Sequence, residues 1–145
     1  MLPRKYRIHA ILIISVLAII IAPQITKRPD KNKVDATVTA AQEFLQLVDA
    51  GRYADSWLIT DPYLQQTLPK QDWEEKLSKI REPLGPIGSR ELEDASFTAA
   101  AEELPDSEFV LLEYRSQFSQ KQVDEVITVV LGRDNRWRVV GYFIQ

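Results

Sequence analysis

Tyr53, Trp57, Trp73, Arg81, Arg90 and Tyr114 are the side chains of this sequence best suited to recognition chemistry. Aromatic rings and arginines are the groups that most often dominate binding interfaces, so this set suits a protein or small-molecule partner. Arg81 and Arg90 flank the loop Pro83-Leu84-Gly85-Pro86-Ile87-Gly88, where their guanidinium forks would hold a carboxylate or a phosphate. Their ordinary alternative is to pair with Asp or Glu and pin that loop. For Tyr53, Trp57 and Trp73 the ordinary alternative is packing with a polar tip. Catalysis has less to build on. There is no cysteine, and the single histidine, His9, borders an apolar run. A nucleophile therefore lacks its usual base, and a transition metal lacks its usual ligands. Glu74-Glu75, Glu102-Glu103 and Asp124-Glu125 are adjacent carboxylates, and neighbours diverge on a helix and point to opposite faces on a strand. No glycine-rich phosphate loop and no internal repeat is present. These residues imply no metal, no cofactor and no catalytic residue, and they favour binding over reaction.

Charge divides the chain of 145 residues in two. Residues 1–33 hold seven Lys/Arg against one Asp, a net of +6, and residues 34–145 hold eleven against twenty Asp/Glu, a net of −9. An acidic globular part repels phosphate backbones, which argues against nucleic acid; the basic part suits anionic lipid headgroups. Pro3-Arg4-Lys5-Tyr6-Arg7 precedes an apolar run from Ile8 to Ala22, the pattern of an export signal. Tyr6 to Ile25 supplies about 20 residues, near the length that spans hydrocarbon. Cleavage after Ala22 is disfavoured by Ile20 and by Pro23, and Val16-x-Ala18 lies inside the run. The sequence thus predicts an uncleaved signal-anchor helix over 1–25, a tether over 26–33 and an exported domain over 34–145. The corresponding address is the inner membrane, single-pass, with the C-terminal domain in the periplasm. Cleavage of the leader would instead release a soluble secreted domain.

Past the tether, Val34, Val38, Ala41, Phe44, Leu45 and Val48 recur at helical spacing, with Asp35 as a cap and Gly51 as a left-handed stop. A short helix over Arg52–Ile59 follows, then another opened by Asp61-Pro62. Pro69 starts a helix whose face carries Trp73, Leu77, Ile80 and Leu84, ending before Pro83. Beyond Ser89 the period changes to two. Strands are expected over Arg90–Ala99, Glu108–Phe118, Val123–Leu131 and Trp137–Ile144, the last two joined across Gly132-Arg133-Asp134-Asn135 as a hairpin. Apolar residues occupy both parities of the last strand, which predicts a central position for it and a buried Trp137. Helices followed by antiparallel strands read as α+β: N-terminal helices packed on a curved sheet of about four strands, preceded by the hydrophobic N-terminal helix.

These residues also carry a resemblance. Ala41-x-x-Phe44-Leu45, Asp49-x-Gly51-Arg52-Tyr53-x-x-Ser56-Trp57, Trp73, Arg81-x-Pro83-Leu84-Gly85 with Arg90, Leu104-Pro105, Tyr114-x-x-x-Phe118, Glu125-x-Ile127-Thr128 and Trp137-Arg138-Val139-Val140-Gly141-Tyr142 resemble the bacterial family called domain of unknown function 4019. The match covers about residues 36–145, and its members look exported. The resemblance implies a cone-shaped α+β roll like that of nuclear transport factor and ketosteroid isomerase, and brings no assigned activity. Isomerases of that wider fold place a carboxylate base and a Tyr or Asp donor inside the cone. Here Tyr53, Tyr63, Tyr114 and Tyr142 are the donors available, with Asp55 and Asp61 among the bases. That gives the alternative reading of a small-molecule lyase or isomerase.

Overall fold

The computed structural model describes residues 30–98 and 107–145. The expected anchor over 1–25 and residues 26–29 of the tether lie outside the described residues. Helices come first: α1 (Lys31–Asp49), α2 (Tyr53–Leu58), α3 (Pro62–Thr67) and α4 (Lys70–Arg81), followed by a 3-10 turn at Glu82–Leu84. Strands β1 (Ile87–Thr98), β2 (Phe109–Phe118), β3 (Gln122–Leu131) and β4 (Trp137–Ile144) complete the order. They form one antiparallel sheet in the order β1-β2-β3-β4, and the domain is α+β. No described helix is long and apolar enough to cross a membrane.

The helix starts follow from local chemistry. Asp30, and not Asp35, caps α1, its carboxylate accepting from the Lys33 amide at 2.9 Å, so α1 begins within the segment expected to be tether. Gly51, at φ +73°, ends that first helical unit in the left-handed conformation as expected. Asp61 caps α3 by accepting from the Tyr63 amide at 2.9 Å, with Pro62 at the first helical position. In α4 the buried row is Trp73, Leu77 and Arg81, while Ile80 is exposed. Steps of four place Arg81, not Ile80, beneath Leu77.

The helices cover one sheet face. Ala41, Phe44, Leu45 and Val48 of α1 and Trp73 and Leu77 of α4 pack on Val110, Leu112, Tyr114, Ile127, Val129, Val139 and Tyr142. Phe44 is the hub, its ring 6.0 Å from Trp73 and 5.5 Å edge-on from Tyr142, and its burial contributes about 1.5–3 kcal/mol.

The expectation of a central last strand is overturned: β4 is an edge, and β3 is interior and buried from Glu125 to Val130. The reason is a register break opposite Thr128 and Val129, where Gly141 pairs with Thr128 and Val139 with Val129, leaving Val140 as an extra residue. A bulge shifts the alternation by one. Trp137, Val139, Tyr142 and Ile144 therefore share the helix-covered face, although their numbers change parity. Val140 joins Phe109 and Val130 in a separate cluster closed by Tyr63 and Leu64. Trp137 is half-buried rather than buried, and the Asp61 amide donates to the Val139 carbonyl at 2.8 Å, occupying the outer side of β4.

Candidate functional site

The chemically richest place in the domain is a chain of polar side chains between the helices and the sheet. Asp49 ends α1 and Arg81 ends α4, and the two helix ends meet through these side chains. Arg90 reaches in from β1. On β3, Val123, Glu125, Ile127 and Val129 share the inward parity, so Glu125 must enter the core; it is wholly buried. Ser116 and Tyr114 face it from β2, and Tyr142 from β4.

The bonding is dense. Arg81 Nη2 donates to Asp49 Oδ1 at 2.7 Å, and Arg90 grips the same carboxylate through Nη1 at 2.9 Å and Nη2 at 3.0 Å. Arg90 Nε donates to Glu125 Oε1 at 2.7 Å. The hydroxyl of Ser116 donates to the same oxygen, and that of Tyr142 donates to Glu125 Oε2. Arg81 also sits over the Phe118 ring, 4.7 Å from its centroid. Two guanidiniums thus meet two carboxyl groups, and each buried charge finds its counter-charge inside the domain, as burial requires.

Burial alone would push the Asp49 carboxyl up, but the hydrogen bonds and charges of Arg90 and Arg81 outweigh it and hold the group below its ordinary value. Burial raises the Tyr142 hydroxyl well above the ordinary tyrosine range, with the Glu125 charge adding to it. Burial likewise pushes Tyr114 up to about 12, partly offset by Arg90. Tyr114 differs from Tyr142 in one respect: its hydroxyl, like Arg81 Nε, is buried with no hydrogen-bond partner among the described residues.

The residues singled out from sequence divide into two groups. Arg81, Arg90 and Tyr114 meet around Asp49 and Glu125. Tyr53, Trp57 and Trp73 lie in the helical layer instead. There the Trp57 indole donates to the Leu68 carbonyl at 2.9 Å and the Trp73 indole to Ser56 Oγ at 3.0 Å. Of the suggested bases, Asp55 bonds Arg52 at 2.8 Å on the surface and Asp61 caps α3, so neither faces a buried tyrosine. Sequence reasoning passed over Asp49, Ser116 and Glu125. The inward parity of Glu125 within an otherwise apolar strand was the available signal.

The loop between Arg81 and Arg90 is fixed separately. Gly85 has φ +74°, and a Cβ there would fall 2.0 Å from Ser119 Oγ. The Ser119 amide donates to Pro86 O at 2.9 Å and the Gln120 amide to Leu84 O at 3.1 Å, locking the loop to the β2–β3 turn.

The family model described as "Protein of unknown function (DUF4019)" matches residues 40–142, a span that holds the whole polar chain from Asp49 to Tyr142. The chain belongs to this family. No curated protein matches it. Within the DUF4019 domain, the blocks that carry the sequence resemblance contain Asp49, Arg81, Arg90, Tyr114, Glu125 and Tyr142. Among them, Asp49, Arg81, Arg90, Glu125 and Tyr142 bond helices to sheet. No group of three or more metal-ligating side chains occurs among the described residues of the DUF4019 domain.

Proposed function

We propose that this protein is an exported module, tethered to the inner membrane by its N-terminal segment, that binds a partner rather than transforming a substrate. The observation that carries the reading is the closure of the buried carboxylates on their own partners: Asp49, Arg81, Arg90, Glu125 and Tyr142 are bonded to one another. A general base needs a free lone pair within reach of substrate, and these carboxylates spend theirs on arginines. Recognition then falls to the surface, where Tyr53 and Trp57 are half-buried and offer ring area at low entropic cost. The basic and apolar leader supports the tether and the periplasmic address.

The test pairs a membrane fractionation with affinity capture. Sequencing the N-terminus of membrane-purified protein should begin near Met1; a start after Ala18 or Ala22 would refute the anchor. Tyr53 also packs against the core, so Tyr53→Ala should lower the unfolding midpoint modestly and weaken capture of a cross-linked envelope partner by more than the loss of folded protein. Capture that simply tracks the amount of folded protein would place Tyr53 in packing alone.

One observation favours the lyase or isomerase reading: the buried Tyr114 hydroxyl beside Glu125 is a donor without an acceptor among the described residues. A turnover of small carbonyl or hydroxy compounds that Tyr114→Phe and Glu125→Gln both abolish would establish that reading over the module.

A further inference from the structure

The start of α1 lies at one end of the sheet. Lys33 Nζ bonds the Glu108 carboxylate at 3.0 Å, and the Leu131 amide donates to the Glu108 carbonyl at 3.0 Å. Asp30, Lys31, Lys33 and Ala36 share a shallow hollow with Trp137. The first turn of α1 therefore stands beside the β3–β4 turn, Gly132 to Arg136. At this end Asp30, Glu108 and Asp134 are engaged, while the exposed carboxylate of Asp35, one turn beyond Lys31, stands against the basic groups. Asp30 caps α1, Glu108 holds Lys33, and Asp134 takes both Nη atoms of Arg138, at 2.9 and 2.6 Å. Lys31, Arg133 and Arg136 are exposed and make no ion pair among the described residues.

Resting on the tethered reading above, we infer that this end of the domain is an interaction surface for anionic lipid headgroups, formed by Lys31, Arg133 and Arg136 with the Trp137 ring beside them. The span ending near Ile25 leaves only residues 26–29 before Asp30, which reach at most about 14 Å when extended. That distance keeps Lys31 close to the headgroups, where basic groups are attracted over roughly a Debye length. Residues 34–145 carry a net of −9, so other faces of the domain are repelled, and this end, where the unpaired groups Lys31, Arg133 and Arg136 outnumber Asp35, is the one that turns inward. Glu102, Glu103 and Asp106, between β1 and β2 in the sequence, lie outside the described residues. Trp suits the interfacial layer because one side of it is apolar and its N–H is polar.

The chain has no cysteine, so Ala36→Cys gives a unique site for a fluorophore on the full-length protein. Reconstituted in vesicles containing a headgroup-linked quencher, the label should be quenched at least twofold more in phosphatidylcholine with one quarter phosphatidylglycerol than in phosphatidylcholine alone. The excess should vanish at 0.5 M salt and in the Arg133→Glu/Arg136→Glu variant. Carbonate extraction separates the two readings. Protein that stays in the vesicles but shows equal quenching in both lipids, or less in the anionic one, overturns the lipid surface and leaves the anchor standing. Excess quenching that survives the double variant also overturns it. Protein that carbonate releases refutes the anchor, and this inference with it.

Discussion

Replacing Arg90 by Met probes the polar chain most directly. Arg90 makes three bonds, to Glu125 at 2.7 Å and to Asp49 at 2.9 and 3.0 Å. Counted separately at roughly 1.5–3 kcal/mol each, they would exceed what the variant should lose, because the losses are unequal. Asp49 keeps Arg81, and its side chain is 19% exposed, so water recovers part of its bonding. Glu125 is 0% exposed and is left with only Ser116 and Tyr142. The cost is therefore that of stranding one buried charge, about 3–5 kcal/mol. Adding Glu125→Gln removes that charge and keeps one acceptor oxygen, so one of the Ser116 and Tyr142 hydroxyls goes on donating and the other turns to accept from the amide N–H. The double variant should therefore recover about 2 kcal/mol or more relative to the sum of the single changes. Urea unfolding of detergent-solubilised protein, followed by tryptophan emission, measures all four species. A loss under about 1 kcal/mol for Arg90→Met, or additive single changes, would refute the reasoning.

Tyr114→Phe should stabilise the fold by about 0.5–2 kcal/mol, since it removes a buried hydroxyl without a partner; destabilisation in the same urea assay would reveal an acceptor there. On the alkaline side, a tyrosine raised in the folded state contributes stability present below pH ~10 and lost as pH climbs through its folded value. For Tyr114 that value is about 12, so a pH series of thermal midpoints should fall less steeply above pH ~10 in Tyr114→Phe than in the parent. On the acid side the sign reverses. The lowered Asp49 carboxyl contributes stability present above pH ~4 and lost as pH falls through its folded value, and Asp49→Asn should flatten that limb of the series. Trp137→Ala should cost about 1–2 kcal/mol, less than a fully buried tryptophan, because the ring is half-buried on an edge strand; a loss above about 3 kcal/mol would return it to the core.

The legible parts of the sequence were those governed by short-range patterns. The stripe of α1, the Asp61-Pro62 start of α3 and the change of period after Ser89 each rest on a few neighbouring residues, and each matches the fold. What resisted reading was set across the sheet. Val140 looks like an ordinary strand residue until Thr128 and Val129 are seen to break register opposite it, and that single residue made an edge strand resemble a central one. Arg81 was legible as either a binding or a pinning residue. Its partner Asp49 lies 32 positions earlier, and no local pattern joins them. Tyr142 and Arg81 are 61 apart. Glu125 was the exception: its inward parity stood in plain view, yet its neighbour Asp124 drew the pair into a discarded metal motif.

The order of elements has a consequence for how the molecule is made. The helix that comes first, α1, rests its Phe44 on Tyr142 of the strand that comes last. A ribosome releasing this chain, or a translocon passing it, delivers the apolar stripe of α1 nearly a hundred residues before its final cover. Until β4 arrives, Glu125 also lacks the hydroxyl that bonds its second oxygen. The nascent chain therefore has no early resting point, and closure is deferred to the final strand. Tyr142 is thus the residue whose arrival completes both the apolar cover of Phe44 and the bonding of Glu125.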